Sequence, residues 1–374
     1  MATLGIGMLG YGSIGKLHAL AYRAIPGIYP SLPPYAMAAV CTSSLKTAEA
    51  AKRDGGFAKA YSSIADLIAD PEVDLVDVVL PNAAHKEAII AALAAGKHVY
   101  CEKPLALDGA EAREIAAAAA ASTAKLGMTF NYRFVPAIAR ARKLVEAGAL
   151  GEIYGYHCEY LHGGYQDASR PLTWRMRKES SGGGAIVDLG SHAIDLVRFL
   201  LGEFSEVLAE TKTYIKHRPV SKGSTELGEV TVDDAAWIQA RMVSGAIGSI
   251  IVSRFATGSA DDLRIRIEGS KGALRFDLMD ANWLYYYDAT RPPADAGWTR
   301  LETISNFAGT STPPGRAILG WDRTHAENQY QFLKTILEGG KPSPGLADGI
   351  ANHLVVDALY ASAKASIWTK VGAV

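Results

Sequence analysis

Asp188 and His192 stand four residues apart in a stretch with helical character, just after the three glycines at 182–184. Residues at this spacing share one face of a helix, and glycines allow the backbone to approach a ligand closely. A histidine titrates near neutral pH and can accept the proton of a substrate hydroxyl. Asp188 would set the tautomer of His192 or bond a second hydroxyl, and Asp195, on the same face, is the alternative partner. A capping aspartate with a satisfied core histidine is the competing interpretation.

Lys103 follows a predicted strand and precedes a proline, in the segment Cys101-Glu102-Lys103-Pro104. An ammonium group at a strand end can bond a substrate hydroxyl and stabilise the negative charge that develops on its oxygen. Taken alone, Lys103 would be an ordinary surface lysine. The other motifs of this chain change that interpretation.

A GxGxxG pattern lies between a predicted strand and a predicted helix, where a dinucleotide site requires it. Gly10 permits the tight turn, Gly12 lets the backbone approach a pyrophosphate, and Gly15 lets the helix pack on the strand. The phosphates would lie at the positive helix N-terminus. The residues predicted to contact them are Gly10, Tyr11, Gly12, Ser13, Ile14 and Gly15. Together with a proton acceptor and a lysine, this loop predicts a nicotinamide-dependent redox site.

The end of the second predicted strand bears on which nucleotide binds. An NAD site usually places an acidic residue there for the ribose hydroxyls, but this chain has Thr42-Ser43-Ser44 and then Lys46. A carboxylate roughly 5 Å from a 2′-phosphate would cost about 3 kcal/mol at an effective dielectric of about 20. Because that barrier is missing, we expect NADP to be favoured over NAD, with these four residues around the phosphate. The alternative is that a serine caps the helix and Lys46 is solvated.

The elements that position these residues fall into two groups. In the first third, short apolar strands alternate with alanine-rich helices; the predicted strands are 4–9, 35–41, 73–80, 97–101 and 126–131. Such repeats imply a doubly wound parallel sheet, so residues 1–128 are predicted to form a Rossmann dinucleotide-binding domain. The fold class is therefore α/β.

After about residue 130 the pattern changes. Segments rich in aromatic and β-branched residues, several with period two, are 153–161, 207–215, 234–242, 246–255, 263–268 and 272–276. Such alternation is typical of an antiparallel sheet. Residues 129–374 are predicted to form an α+β domain for substrate binding and oligomerisation, with a large, mostly antiparallel open sheet. The helix that His325 opens is assigned to this second domain.

The length of 374 residues exceeds the roughly 250–300 at which one core stops growing, which also favours two domains. The formal net charge of -1 argues against a nucleic-acid partner. No apolar run reaches the ~20 residues of a membrane span, and the start of the chain has no room for a signal peptide. Cys41, Cys101 and Cys158 are odd in number and lack metal spacing, so neither disulfides nor a metal are expected. The expected location is the cytoplasm.

Four motifs together resemble the Gfo/Idh/MocA family of sugar and cyclitol oxidoreductases, over essentially the whole chain. They are Gly10-x-Gly12-x-x-Gly15, Glu102-Lys103-Pro104, Asn131-Tyr132-Arg133 and Gly183-Gly184-x-x-x-Asp188-x-Gly190-x-His192. The resemblance implies that Lys103, Asp188 and His192 are the catalytic set, with His192 as proton acceptor. Thr42 departs from the pattern, because NAD-using relatives typically carry an acid there.

The resemblance also implies further contacts with the cofactor, from Leu80, Pro81, Asn82, His85, Glu102, Lys103, Asn131, Arg133, Trp174 and Arg175. The last two would approach the sugar as well. Substrate contacts are predicted for Lys103, Tyr160, His162, Tyr165, Asp188, His192 and His325, with Gln166 beside them. Aromatic and polar side chains suit a polyhydroxy ring. Equally, Tyr160 and Tyr165 would be sheet-packing aromatics.

The predicted function is hydride transfer between a nicotinamide nucleotide and a hydroxyl or carbonyl of a sugar, inositol or related polyol. One alternative is a nucleotide-dependent glycosidase that uses transient redox chemistry. The other is a non-catalytic nucleotide-sensing regulator, which ranks last because the chain keeps Lys103 and His192. A homodimer or homotetramer through the second domain's sheet is expected by resemblance, since a large sheet needs one face covered.

Overall fold

The computed structural model describes residues 3–304 and 318–372. The chain divides into two compact units. The first unit runs through Asn131 and also includes Gly320–Ile350, and the second begins at Tyr132 and includes the chain from Ala351 onward. Among the described helices, none combines the length and the apolar character that crossing a membrane requires.

The first unit contains a six-stranded parallel sheet in the order β3-β2-β1-β4-β5-β6. Its strands are β1 (Leu4–Leu9), β2 (Tyr35–Cys41), β3 (Lys59–Tyr61), β4 (Leu75–Val78), β5 (His98–Cys101) and β6 (Leu126–Met128). Every residue of β1 and β4 is buried, as expected of strands covered on both faces. The strand order reverses between β1 and β4, and ligands of such sheets bind outside the carboxyl ends at this switch point. The predicted Rossmann arrangement is confirmed.

The helices are α1 (Ser13–Ile28), α2 (Leu45–Gly55), α3 (Ile64–Ala69), α4 (His85–Ala94), α5 (Gly109–Ala120), α6 (Pro136–Glu146), α7 (Lys178–Ser181), α8 (Ser191–Leu201), α9 (Trp321–Glu338) and α10 (Leu346–Ala365). Helix α9 packs on α1: the rings of Tyr29 and Tyr330 stack at 3.6 Å between centroids. The side-chain amide of Gln329 donates to the carbonyl of His18 at 3.4 Å. The structure thus places α9 in the first unit, not in the predicted second domain, because its buried face completes the core beside α1.

The second unit contains a nine-stranded sheet in the order β16-β15-β14-β13-β7-β12-β11-β8-β17, in which, among the described strands, only β7 and β12 pair in parallel. Strands β9 and β10 form a separate ribbon. The strands are β7 (Ile153–Leu161), β8 (Phe204–Lys212), β9 (His217–Pro219), β10 (Leu227–Glu229), β11 (Ala235–Met242), β12 (Ile247–Ser253), β13 (Asp262–Gly269), β14 (Gly272–Asp277), β15 (Trp283–Asp288), β16 (Trp298–Glu302) and β17 (Thr369–Lys370).

The predicted mostly antiparallel sheet is confirmed, and burial alternates along its strands. In β7, Tyr156, Cys158 and Tyr160 are buried, while His157 between them is exposed. The inward-facing residues join those of α6 and α8 in one hydrophobic core. This period of two follows from the pleat of a strand. One face of the sheet therefore covers the core, and the other carries exposed side chains.

Candidate active site

The glycine loop after β1 has the geometry that its three glycines predict. Gly10 adopts φ +95°, and a Cβ there would lie 2.4 Å from the carbonyl oxygen of Val79. A Cβ at Gly15 would lie 2.6 Å from the Gly10 carbonyl, so neither position accepts a side chain. Gly12 differs, since a Cβ there would meet no atom within 4 Å. It precedes α1 without a side-chain cap, and such helix ends suit phosphate.

The strand end at β2 lacks a carboxylate, and its hydroxyls bond to one another. Ser44 is the N-cap of α2 and accepts a hydrogen bond from the Thr47 backbone at 3.3 Å. The hydroxyl of Thr42 lies 2.6 Å from that of Thr47 and donates to the Ser44 carbonyl at 3.1 Å. Ser43 and Lys46 are exposed. The capping role foreseen for a serine is thus taken by Ser44.

His85 lies in the interior of the first unit and bridges two loops. Its Nδ1 lies 2.8 Å from the Pro104 carbonyl oxygen, and its Nε2 lies 2.9 Å from the Leu80 carbonyl oxygen. Burial lowers the pKa of His85, although the two carbonyls oppose the shift. The imidazole is fully buried, so it ties the turn after β4 to the loop that carries Lys103. Pro81 in that turn is exposed, and Asn82 is buried.

The loop after β5 is anchored by a buried chain of ionisable groups. Nδ1 of His18 lies 2.9 Å from Oδ2 of Asp77, and its Nε2 lies 3.0 Å from Oε1 of Glu102. The backbone N–H of Lys103 donates to Oε2 of Glu102 at 3.1 Å. Burial alone would lower the pKa of His18, but the two carboxylates raise it to about 10. In turn, His18 outweighs burial and lowers the pKa of Glu102 to about 2.

His325 lies behind this chain of groups and is only 3% exposed. Its ring centroid is 5.6 Å from that of His18 and 4.8 Å from that of Trp321. Within the described residues, neither ring nitrogen has a hydrogen-bond partner. Burial, and then the charge of His18, lower the pKa of His325 to about 3. His325, predicted as a substrate contact, is therefore a neutral interior residue of the first unit.

Asn131 and Arg133, both predicted to contact the cofactor, are buried and have protein partners. The side-chain amide of Asn131 donates to the Thr324 hydroxyl at 2.9 Å, inside the first unit. In the second unit, Arg133 pairs with Asp195 through Nε at 2.8 Å and Nη2 at 2.5 Å. Such a bidentate pair fixes both side chains. Asp195, the alternative partner of His192, is thus engaged by Arg133.

Gly183 and Gly184 lie so close to other groups of the protein that a side chain would not fit at either position. A Cβ at Gly183 would lie 2.0 Å from the Tyr360 hydroxyl, and one at Gly184 would lie 1.8 Å from the Asp233 carbonyl oxygen. The Asp233 carboxylate accepts from the backbone N–H of Gly184 at 3.0 Å and of Ile186 at 2.9 Å, and from the Tyr360 hydroxyl at 2.6 Å. These neighbours fill the space beside Gly183 and Gly184, so the protein itself requires glycine at both positions.

Asp188 and His192 follow at once, and their surroundings differ from an ordinary helix. Asp188 lies in a π-helical turn, Ile186–Gly190, and His192 lies in the first turn of α8. Such turns are rare in proteins, but those that occur are often found at functional sites. Oδ2 of Asp188 accepts from Nη2 of Arg254 at 3.0 Å. Arg254, from the end of β12, is 2% exposed, and sequence reasoning missed it.

Aromatic and polar groups surround His192 within the second unit. The His192 ring centroid lies 4.8 Å from that of Tyr132 and 5.9 Å from that of Tyr160. The two tyrosine hydroxyls are 2.7 Å apart, and that of Tyr160 donates to Oδ1 of Asp261 at 2.8 Å. His162 Nε2 lies 2.8 Å from the same oxygen. The structure thus brings the predicted Tyr160 and His162 together, with Tyr160 beside His192, and adds Asp261, which the sequence did not single out.

The remaining predicted residues lie in the loops after β7. The Tyr165 ring has the guanidinium carbon of Arg170 at 4.2 Å and that of Arg254 at 4.8 Å from its centroid. Gln166 is exposed, and its amide donates to the Phe255 carbonyl at 3.0 Å. Arg175 lies over the Trp174 ring at 4.4 Å. Tyr165 is 9% exposed, so it packs against Arg254, the partner of Asp188.

Comparison with known proteins identifies the class. Residues 4–130 match the model of the oxidoreductase family with an NAD-binding Rossmann fold, and residues 138–275 match the GFO/IDH/MocA C-terminal domain. The chain belongs to the Gfo/Idh/MocA family of oxidoreductases. These matches, with the relatives below, confirm the predicted family, fold class and general function of a nicotinamide-dependent sugar or polyol oxidoreductase.

Two relatives and one solved structure illustrate the similarity. Levoglucosan dehydrogenase of Pseudarthrobacter phenanthrenivorans is 35% identical, with 99% of each chain covered. Myo-inositol 2-dehydrogenase of Thermotoga maritima is 32% identical, with 85% of this chain and 91% of the relative covered. A levoglucosan dehydrogenase in complex with NADH and levoglucosan superimposes with a TM-score of 0.95 at 34% identity, and both chains are covered completely.

Proposed function

We propose that this chain oxidises a secondary hydroxyl of a sugar, anhydrosugar, inositol or related polyol, or reduces the matching carbonyl. The carrying observation is the group around His192: a histidine flanked by Tyr132 and Tyr160, with Asp188 fixed by buried Arg254. The similarity to a levoglucosan dehydrogenase and an inositol dehydrogenase supports this substrate class.

Different residues bind the cofactor, accept the proton and stabilise the developing charge. A bound nicotinamide supplies the hydride acceptor, and the open space at Gly12 with the uncapped start of α1 fits its pyrophosphate. In the oxidation, the carbinol C–H bond breaks and its electron pair leaves with the hydride. The imidazole of His192 takes the hydroxyl proton as the C=O bond forms, and the ammonium of Lys103 bonds the same oxygen and stabilises its developing charge. Reduction is the reverse.

The other polar groups of the second unit would orient the substrate. Asp188 is 30% exposed and held by Arg254, which suits a carboxylate that accepts from a second substrate hydroxyl. Asp261, Tyr160 and His162 share one set of hydrogen bonds, and the partly exposed side chains of His162 and Asp261 suit further hydroxyls. Trp174 and Arg175 offer a flat surface for a ring face.

We propose NADP as the favoured nucleotide, because no carboxylate follows β2 and the cation of Lys46 is exposed beside Ser43. The NADH complexes of a similar dehydrogenase favour the alternative, NAD. Initial rates with each nucleotide at equal concentration decide between them. A kcat/KM for NAD above that for NADP would reject our choice, and Lys46→Ala should weaken NADP alone.

The test of the function is a panel of sugars, anhydrosugars and cyclitols, including levoglucosan and myo-inositol, screened with both nucleotides and followed at the absorbance of the reduced nicotinamide. Turnover with a neutral polyol and its loss in His192→Ala support the proposal. Phenol release from a chromogenic glycoside without net nucleotide reduction would instead favour the glycosidase. Nucleotide binding without any turnover would favour a sensor.

We further propose a homodimer or homotetramer through the outer face of the large sheet. Trp237 in β11 and Ile247 in β12 are 43% and 53% exposed on that face, and apolar side chains of this size suit an interface. A cytoplasmic location is proposed because Cys41, Cys101 and Cys158 are all free thiols.

A further inference from the structure

His18 connects the nucleotide loop to the loop of the catalytic lysine. It lies in the first turns of α1, three residues after Gly15, and its side chain is fully buried. One ring nitrogen faces Asp77 of β4 at 2.9 Å, and the other faces Glu102 at the end of β5 at 3.0 Å. A histidine placed between two carboxylates carries a proton on each nitrogen. It therefore bonds to both at once.

Glu102 has both oxygens engaged by this arrangement. Oε1 faces His18, and Oε2 accepts from the backbone N–H of Lys103. The Glu102 side chain is 12% exposed, so water cannot readily replace a lost partner. The nearest other cation along the sequence, besides His18, is the ammonium group of Lys103, the next residue. If the Glu102 carboxylate lost His18, we would expect it to pair with the Lys103 ammonium, because hydrogen bonds between charged groups are strong.

We propose that His18 is a positioning residue for Lys103: it holds the carboxylate of Glu102 so that this carboxylate does not draw the lysine ammonium away from the substrate oxygen. The inference rests on the proposed role of Lys103. It gives a function to a histidine that the glycine-loop motif does not explain. Asp77 is part of the same device, because it fixes the other side of the imidazole.

The test uses His18→Ala, alone and combined with Glu102→Gln. Misplacing a catalytic group by about 1 Å costs on the order of a hundredfold, so we expect His18→Ala to lower kcat by about that factor. Nucleotide Kd should stay within about threefold, since the glycine loop is untouched. Glu102→Gln removes the competing charge, so it should raise kcat of the His18→Ala protein at least about tenfold. A merely structural role would predict additive losses.

His98→Ala is the matched control, since His98 lies at the opposite end of β5 and is partly buried. It should leave kcat within about threefold. Should His18→Ala fail to fold, His18→Asn replaces it, because its shorter side chain cannot span both carboxylates. The same rescue by Glu102→Gln is expected.

Three results would overturn the inference. The first is a double variant no faster than His18→Ala, and the second is a His18→Ala protein as fast as wild type while Lys103→Ala is inactive. The third concerns a metal, since donor atoms of His18, Glu102 and His325 lie within 4.8 Å of one another. If purified protein held about one equivalent of a divalent ion and His18→Ala lost it, a metal and not a protonated imidazole would link His18 to Glu102. Full turnover by Lys103→Ala would instead refute the proposed function itself.

Discussion

Nη2 of Arg254 donates to Oδ2 of Asp188 at 3.0 Å, and the Arg254 side chain is 2% exposed. We predict that Arg254→Leu lowers kcat/KM for the sugar by about tenfold to a hundredfold, because Asp188 loses the group that orients it.

Breaking a fully buried pair costs about 3–5 kcal/mol. Asp188 is 30% exposed, so about 2 kcal/mol is expected in urea unfolding. Arg266→Ala, which removes an exposed pair, should change stability by less than about 0.5 kcal/mol.

Tyr160→Phe tests the hydroxyl that lies between the Tyr132 hydroxyl and the Asp261 carboxylate. Its loss leaves Asp261 with one partner fewer, so KM for the sugar should rise about threefold to tenfold with little change in nucleotide KM. Tyr156→Phe is the control on the same strand, because its buried hydroxyl has no hydrogen-bond partner within the described residues. Equal effects of both variants on sugar KM would contradict a specific role for Tyr160.

The buried His325 predicts how stability depends on pH. Its pKa falls from 6.5 to about 3 in the folded protein, so between these values the unfolded chain binds a proton that the folded chain does not. Stability should therefore fall as pH decreases from 6.5, by about 1.4 kcal/mol per unit for one proton. His18, Glu102 and Lys103 act on this imidazole.

His325→Gln should remove that contribution, so its loss of unfolding free energy between pH 7.5 and 5 should be smaller than that of wild type. Urea titrations at the two pH values measure the difference. His217→Asn, at an exposed histidine, should keep the wild-type slope. A parallel slope for His325→Gln and wild type would show that His325 titrates normally.

The exposed face of the large sheet can be tested with a charge. Trp237→Arg places a cation where Trp237 and Ile247 would meet a second copy, and an unpaired charge in an apolar interface is costly. We expect a shift to smaller species in light scattering coupled to size exclusion. Val243→Arg, in the turn after β11 and 71% exposed, should leave the mass unchanged. An unaltered mass in both variants would place the interface elsewhere.

Local patterns predicted much of the first unit. Strands β1 and β2 begin and end at the predicted residues, 4–9 and 35–41. Strand β1 is buried throughout and β2 over its last four residues, and such burial produces continuous apolar runs. The short strands β3 and β16 were not predicted, since three to five residues carry little periodicity. The site residues that were missed, Arg254 and Asp261, come from loops far along the chain. The pairing of β7 with β13 brings Asp261 beside His162, and the packing of the π-helical turn on β12 brings Arg254 beside Asp188.

Local reasoning also cannot tell which core a late helix joins. Seven consecutive residues of helix α9, 323–329, are buried, and most of them are polar. The sequence therefore has no apolar stripe there that would indicate the core the helix joins. Contacts such as the stacking of Tyr29 on Tyr330 and the bond from Gln329 to α1 show its place. For the same reason, His325 was predicted to touch substrate although it lies beside His18.

The carboxylate of Asp233 fastens the backbone immediately ahead of the π-helical turn, through Gly184, Ile186 and Tyr360. These anchors belong to the core side of the second unit, whereas Gln166 and Arg175 stand on separate exposed loops. His192, the proposed proton acceptor, therefore depends on the anchored backbone, whereas the proposed sugar contact of Arg175 depends on an exposed segment. Loop exchange between relatives should alter which polyol is accepted while the pH profile of turnover stays the same.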